Sequence, residues 1–92
     1  MKLEIITPEK IVFNADVTSV AVPGTDGEFQ VLDNHADIIS TLVKGKVKIS
    51  ASGLGEKAIK ILSKSTTDNR FEYTIKGGVF QFADNNAVVL AD

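Results

Sequence analysis

The sequence predicts an all-β domain, a sandwich or barrel of short strands. Three observations carry that prediction. Runs of alternating apolar and polar residues recur at about eight-to-twelve-residue spacing. Turn-forming Pro, Gly, Asn and Asp stand at nearly every break between them. The 92 residues form one small unit, long enough to bury roughly 60–65% of its unfolded surface around a single core. No repeat, low-complexity tract or linker divides it, so residues 1–92 are read as one domain.

Lys2 to Thr7 mixes alternation with the apolar pair Ile5-Ile6 and reads as a strand. Thr7-Pro8-Glu9-Lys10 is a turn, with the fixed φ of Pro8 well placed. Lys10 to Phe13 is the return strand, with Ile11 and Phe13 expected inward, and Asn14-Ala15-Asp16 is expected to turn. Val17 to Val22 is β-branched at Val17, Thr18, Val20 and Val22, which suits a pleated surface. Pro23, which cannot donate to a ladder, ends that strand, and Gly24 and Gly27 permit a tight turn. Glu28 to Leu32 alternates with Phe29 and Val31 on one face, and Asp33-Asn34-His35 turns again. This arrangement is expected to gather Asp26, Glu28, Asp33, Asn34 and His35 into one polar edge at one end of the domain.

Ala36 to Val43 has weaker periodicity and is expected to be an irregular segment covering the end of the core, broken at Lys44-Gly45. Lys46 to Ala51 alternates, with Val47, Ile49 and Ala51 inward and Lys46, Lys48 and Ser50 outward. Gly53-Leu54-Gly55 reads as a hairpin turn. In Lys57 to Lys64, Ile59 and Ile61 fit a strand, whereas Ala58, Ile61 and Leu62 fit a helical face. Its shortness and the flanking Gly55 and Ser65-to-Asn69 turn cluster favour the strand. Phe71, Tyr73 and Ile75 share a strand face. Gly77-Gly78 permits a bulge or a close backbone approach before the strand resumes at Val79 to Phe82. Asp84-Asn85-Asn86 turns into the last strand, Ala87 to Ala91.

Composition narrows the function. With 43% apolar and 24% charged residues the chain is globular. It has no cysteine, so disulfides and thiolate metal sites are excluded. A net charge of −2 argues against a nucleic-acid partner bound by phosphate neutralisation. Strand pattern begins at Lys2, with no signal core and no apolar run of spanning length. This predicts a protein made where it works, in a cytoplasm, meeting a membrane only through partners.

Catalytic equipment is sparse. His35 is the only histidine; one imidazole without cysteines falls short of a metal ligand set, and with Asp33 or Asp37 it lacks a nucleophile elbow. Asp26 and Glu28 form a carboxylate pair at alternate positions, a pattern compatible with acid–base work but more ordinary as turn solvation or a contact to a basic partner. Lys44, Lys46 and Lys48 lack interleaved aromatics and read as a solvated face. The glycines form no phosphate loop. Gly55-Glu56-Lys57-Ala58 is a short match to the acidic-Lys-Ala turn of lipoyl or biotin carriers, which makes Lys57 the centre of an alternative reading. No cofactor is predicted.

Leu3-Glu4-Ile5-Ile6-Thr7-Pro8-Glu9-Lys10-Ile11-Val12-Phe13 resembles the opening of the epsilon subunit of bacterial F-type ATP synthases. Val20 to Phe29, with the turn that ends in His35-Ala36, resembles that family's most recognisable block. Gly77-Gly78-Val79-Phe80 and Val88-Val89-Leu90-Ala91-Asp92 resemble its last two strands. The resemblance implies a flattened β-sandwich of about ten strands at the foot of the rotor's central stalk. Such a domain packs on the gamma subunit, rests on the c-ring loops, couples proton translocation to ATP synthesis and has no catalysis of its own. It implies a peripheral place at the cytoplasmic face of the bacterial inner membrane. Glu28 and His35 match the family's ring-facing positions, with Asp26, Asp33 and Asn34 nearby.

Three departures stand out. The family has Gly at Gln30, Pro-Gly at Asp33-Asn34 and Pro at Asp37, so this turn is expected to be more acidic and less rigid. Residues Ser52 to Asn69 exceed the family's usual hairpin. The two-helix C-terminal domain, which carries ATP binding and inhibition of hydrolysis in relatives, has no counterpart in these residues. A short form of the subunit is therefore expected, and neither property is assigned to it.

Overall fold

A computed structural model of the chain describes residues 1–51, 54, 61–64 and 70–92. The regular elements among them are β1 (Lys2–Ile6), β2 (Ile11–Asp16), β3 (Ser19–Gly24), β4 (Gly27–Leu32), β5 (Ile38–Leu42), β6 (Gly45–Ser50), β7 (Ser63–Lys64), β8 (Phe71–Ile75), β9 (Gly78–Ala83) and β10 (Asn86–Ala91). The hairpin turn at Gly53 and Gly55, the Ser65–Asn69 turn, Lys57 and most of the predicted Lys57–Lys64 strand lie outside the described residues. Of that strand, Ser63–Lys64 pairs with Phe71 and Glu72.

The strands follow one hydrogen-bonded path, β2-β1-β10-β9-β5-β3-β6-β8-β7, with β4 paired to β3 off that path. Between β5 and β3 the path narrows to a single registered pair, Gly24↔Leu42. The Val43 N–H adds a bond of 2.9 Å to the Pro23 carbonyl. There the sheet folds over into two layers, β2-β1-β10-β9-β5 and β4-β3-β6-β8-β7. Leu3, Ile5, Phe13, Phe80, Phe82 and Val89 from the first layer meet Val20, Val22, Val31, Val47, Ile49 and Ile75 from the second in one core. Each such side chain contributes about 1.5–3 kcal/mol by leaving water. Phe29 of β4 and Phe80 of β9 meet edge to face, centroids 5.8 Å apart at 77°, the geometry favoured by the ring quadrupoles. The all-β sandwich of about ten strands is the observed architecture.

Four local expectations are corrected. Ile11 points outward, 55% exposed. Ile5 pairs with Phe13 and Ile6 with Ile11, so Val12 is the extra residue of a bulge that turns Ile11 away from the face of Phe13. Asn14, Ala15 and Asp16 continue β2, opposite Glu4, Leu3 and Lys2, rather than turning. Residues Ile38–Leu42 form strand β5, paired along its length with β9. Its alternation is masked because Ser40 sits on the inner side while Ile39, 74% exposed, sits on the outer one. Finally, Pro23 lies inside β3, opposite Glu28. Its polar groups face the side where the β6 ladder has already ended at Ala21↔Lys48, so no amide donor is missed there.

The predicted turn after Ala83 is a two-residue connection in which Asp84 and Asn85 both take positive φ, 51° and 59°, the type I′ geometry that matches strand twist. Gly78 makes the close backbone approach expected of it: an added Cβ would lie 2.1 Å from the Leu90 carbonyl oxygen, at a φ of +149°. Gly78→Ala is therefore expected to destabilise the domain by roughly 2–4 kcal/mol, through overpacking and positive-φ strain together. The urea midpoint measures this, and an unchanged midpoint would contradict the packing described.

Candidate functional site

The stretch between β3 and β5 is built around the β3–β4 hairpin. Thr25 and Asp26 form its two-residue tip, between the registered pair Gly24↔Gly27. Gly24 is demanded by the ring of Phe29, whose nearest atom would stand 2.9 Å from an added Cβ. Along β4, Phe29 and Val31 face the core while Glu28, Gln30 and Leu32 face outward. The Glu28 carboxylate is bound by Lys48, Nζ to Oε1 3.1 Å. Lys46 is bound in the same way by Glu72 at 3.4 Å. The outer lysines of β6 are thus interleaved with carboxylates, and Lys44 stands apart on the bend before the strand.

At the other end of β4 the chain turns through Asp33-Asn34-His35. Asn34 adopts φ 63°, a left-handed conformation that asparagine tolerates better than most residues. The Asn34 N–H donates to Asn85 Oδ1 at 2.8 Å, and the His35 N–H donates to the Leu32 carbonyl at 3.2 Å. Asp33 makes an ion pair with the Met1 α-ammonium, which also donates to the Val17 carbonyl. The hydrogen bond from the Met1 α-ammonium to Asp33, with a contribution from Asn85, holds the Asp33 carboxyl below its ordinary value of 3.8. The His35 Nδ1 donates to the Ala36 carbonyl at 2.7 Å, and its ring stands edge-on to Phe82, centroids 6.0 Å apart. The turn that lacks the family's Pro-Gly pair is tied to the chain start and to the β9–β10 hairpin.

The five polar residues do not share one edge. Asp33, Asn34 and His35 are together, but Asp26 and Glu28 lie at the far end of β4. A six-residue strand rising about 3.3 Å per residue separates Asp26 from Asp33 by roughly 20 Å. That is most of the width of a body measuring 30 × 29 × 27 Å. Both turns are legible in the sequence, but the straight strand between them sets them at opposite ends of β4. Nor do Asp26 and Glu28 act as a carboxylate pair, because Asp26 is on the tip and Glu28 faces Lys48. Among the described residues no cluster of His, Cys, Asp or Glu is arranged to hold a metal ion.

A second feature, which the sequence did not disclose, lies on the outer face of the other layer. The registers align Thr41, Val79, Leu90, Ile6 and Ile11 in one row across β5, β9, β10, β1 and β2. Val79, Leu90 and Ile11 are exposed, as is Ile39 in the neighbouring row. A shallow groove of about 500 Å³ borders this row, lined by Ile6, Pro8, Val79 and Leu90 among others. The row depends on β1 pairing in parallel with β10, a contact between the two ends of the chain that strand-by-strand reading does not reach.

The family described as ATP synthase, Delta/Epsilon chain, beta-sandwich domain matches residues 1–92. The chain is 36% identical over 91 residues to the ATP synthase epsilon chain of Chlorobium limicola, covering 99% of this chain and 88% of that one. It is also 36% identical over 92 residues to the ATP synthase epsilon chain of Leptospira interrogans, of which it spans 61%. Among solved structures, the fold is similar to a chain in the central stalk and c-ring of Tetrahymena thermophila mitochondrial ATP synthase. There the TM-score is 0.73 at 17% identity, covering 99% of this chain and 62% of that one. A chain of the Euglena gracilis mitochondrial ATP synthase gives a TM-score of 0.74 at 16% identity, covering 97% of this chain and 48% of that one.

The depressed acidity of Asp33 sets a pH dependence. A carboxylate whose folded value lies below its unfolded one contributes fully above the unfolded value, and the contribution disappears as pH falls through the folded value. Asp33→Asn is thus expected to be less stable than the parent at about pH 6, with the gap closing towards about pH 2. Urea midpoints across that range test it, and a gap constant at every pH would show that the pair does not contribute.

Proposed function

Because the chain belongs to the ATP synthase delta/epsilon-chain β-sandwich family, we propose that it is a rotor subunit of the central stalk, joining the gamma subunit to the c-ring and performing no chemistry itself. The observation that supports this reading most directly is the difference between the two outer faces. The first layer presents a row of aliphatic side chains, Ile11, Ile6, Leu90 and Val79, on the adjoining strands β2, β1, β10 and β9. The second carries Leu32 at one end of β4 and is otherwise dominated by the ion pairs Lys46–Glu72 and Lys48–Glu28. A contiguous apolar face suits a permanent protein partner, and a charged, ion-paired face suits a contact that must remain wet.

In this proposal gamma docks on the apolar row, and β4, from Glu28 to the His35 turn, meets the polar loops of the ring. A sandwich whose layers share one close-packed core transmits torque with little deformation. The subunit would sit peripherally at the cytoplasmic face of the membrane, held there by its partners. No helix among the described residues is long and apolar enough to cross a bilayer. The carrier reading centred on Lys57 gains no support, since that residue lies outside the described structure and the family match points elsewhere.

Leu90→Lys places a charge in the middle of the apolar row, and Glu28→Lys inverts the opposite face. Leu90→Lys is expected to weaken gamma binding about tenfold or more. Glu28→Lys is expected to leave gamma binding unchanged and to lower the coupling of ATP hydrolysis to proton pumping, with stability altered by only about 0.5 kcal/mol. Retention of gamma by the Leu90→Lys subunit in membrane co-purification would refute the docking face.

A further inference from the structure

We propose that Lys48 is the positioning residue for the Glu28 contact, and that Lys46 keeps it available for that role. The inference rests on the reading that Glu28 meets the ring. In the register of β6 and β8, Lys48 stands directly opposite Glu72, the nearest cross-strand carboxylate. It does not bind it. Glu72 is occupied by Lys46, two pairs further along the ladder, at 3.4 Å. Lys48 reaches the other way, across β3, and binds Glu28 at 3.1 Å.

The crossing is possible because of what lies beneath it. Lys48, Ala21 and Gln30 are aligned across β6, β3 and β4, and Glu28 is the next outward residue of β4. The methyl group of Ala21 leaves room for the lysine stem, and Ala21 itself is almost fully covered. The Lys48 side chain is 27% exposed, against 56% for Lys46, so its stem lies along the sheet while Lys46 projects into water. Glu28 remains 46% exposed. One of its oxygens is held by Lys48, and the other is free to accept from a partner.

A lone surface glutamate samples many rotamers, and a partner must order it on binding. Held by Lys48, the Glu28 carboxylate is already oriented when the partner arrives, and that ordering entropy is not lost at the interface. Replacing Lys46 vacates Glu72, lets Lys48 swing to the carboxylate directly opposite, and releases Glu28. The two lysines thus act in series on one contact, although Lys46 touches neither Glu28 nor the ring.

The test uses assembled synthase in vesicles and reads protons pumped per ATP hydrolysed, with the thermal midpoint of each free subunit as the control for folding. Lys48→Gln and Lys46→Gln are each expected to lower coupling roughly two- to fivefold, with unchanged midpoints. Lys48→Arg is expected to restore it. Neither lysine substitution is expected to have a further effect in a Glu28→Ala background. Full coupling in Lys48→Gln alongside impaired coupling in Glu28→Ala would overturn the positioning role and leave the Glu28 contact standing. Full coupling in Glu28→Ala would overturn the contact itself. Should Lys48→Gln fail to fold, Lys46→Gln at its exposed position decides the matter: full coupling there, with Glu28→Ala impaired, would overturn the series arrangement.

Discussion

The fold depends on the place where one sheet becomes two. Gly24↔Leu42, with the bond from Val43 to Pro23, joins the layers through the backbone. β3 leads into that joint with core on one side and close neighbours on the other. Its inner residues Val20 and Val22 are fully buried, and its outer ones, Ser19 and Ala21, are small and covered. A larger residue at Ala21 would lift the Lys48 stem from the sheet, and a side chain at Gly24 would strike Phe29. The same few residues therefore fix the angle of the layers, the seating of Phe29 against Phe80, and the path by which Lys48 reaches Glu28.

From this joint follows the separation of the two outer surfaces. Because the layers share a core, each is left with one solvent-facing side, and the alternation along the strands decides what that side carries. On the first layer the outward positions of β9, β10, β1 and β2 include Val79, Leu90, Ile6 and Ile11. The bulge at Val12 brings Ile11 into that row. On the second layer they include Glu28, Lys46, Lys48 and Glu72. The proposed rotor role uses both surfaces at once, with the rigid core between them.

Much of this was legible in the sequence wherever neighbours in the chain are also neighbours in the fold. Phe29 and Val31, Val47 and Ile49, and Phe71, Tyr73 and Ile75 were readable as sharing a face by simple alternation, and all lie in or against the core. The turns at Thr25-Asp26 and Asp84-Asn85 declared themselves by composition. Where reading failed, a distant pairing had overruled the local pattern. A bulge against β1 reversed Ile11, pairing with β9 made a strand of Ile38–Leu42, and the end of the β6 ladder allowed Pro23 inside a strand. At the candidate site the residues were named correctly as exposed and polar, but their grouping was not. The Lys48–Glu28 pair and the fastening of the Asp33 turn to Met1 and Asn85 each join segments far apart in sequence.

In the proposed rotor role the two faces of this small body meet two different partners. The chain contains no cysteine, so a thiol placed in it is the single one in this subunit. Leu90→Cys and Glu28→Cys, each carried singly in assembled synthase and treated with a short thiol-to-amine cross-linker, test the claim directly. Leu90→Cys is expected to capture gamma and not the ring, whereas Glu28→Cys is expected to capture a ring subunit and not gamma. Capture of gamma from both positions, or of the ring from Leu90→Cys, would contradict it.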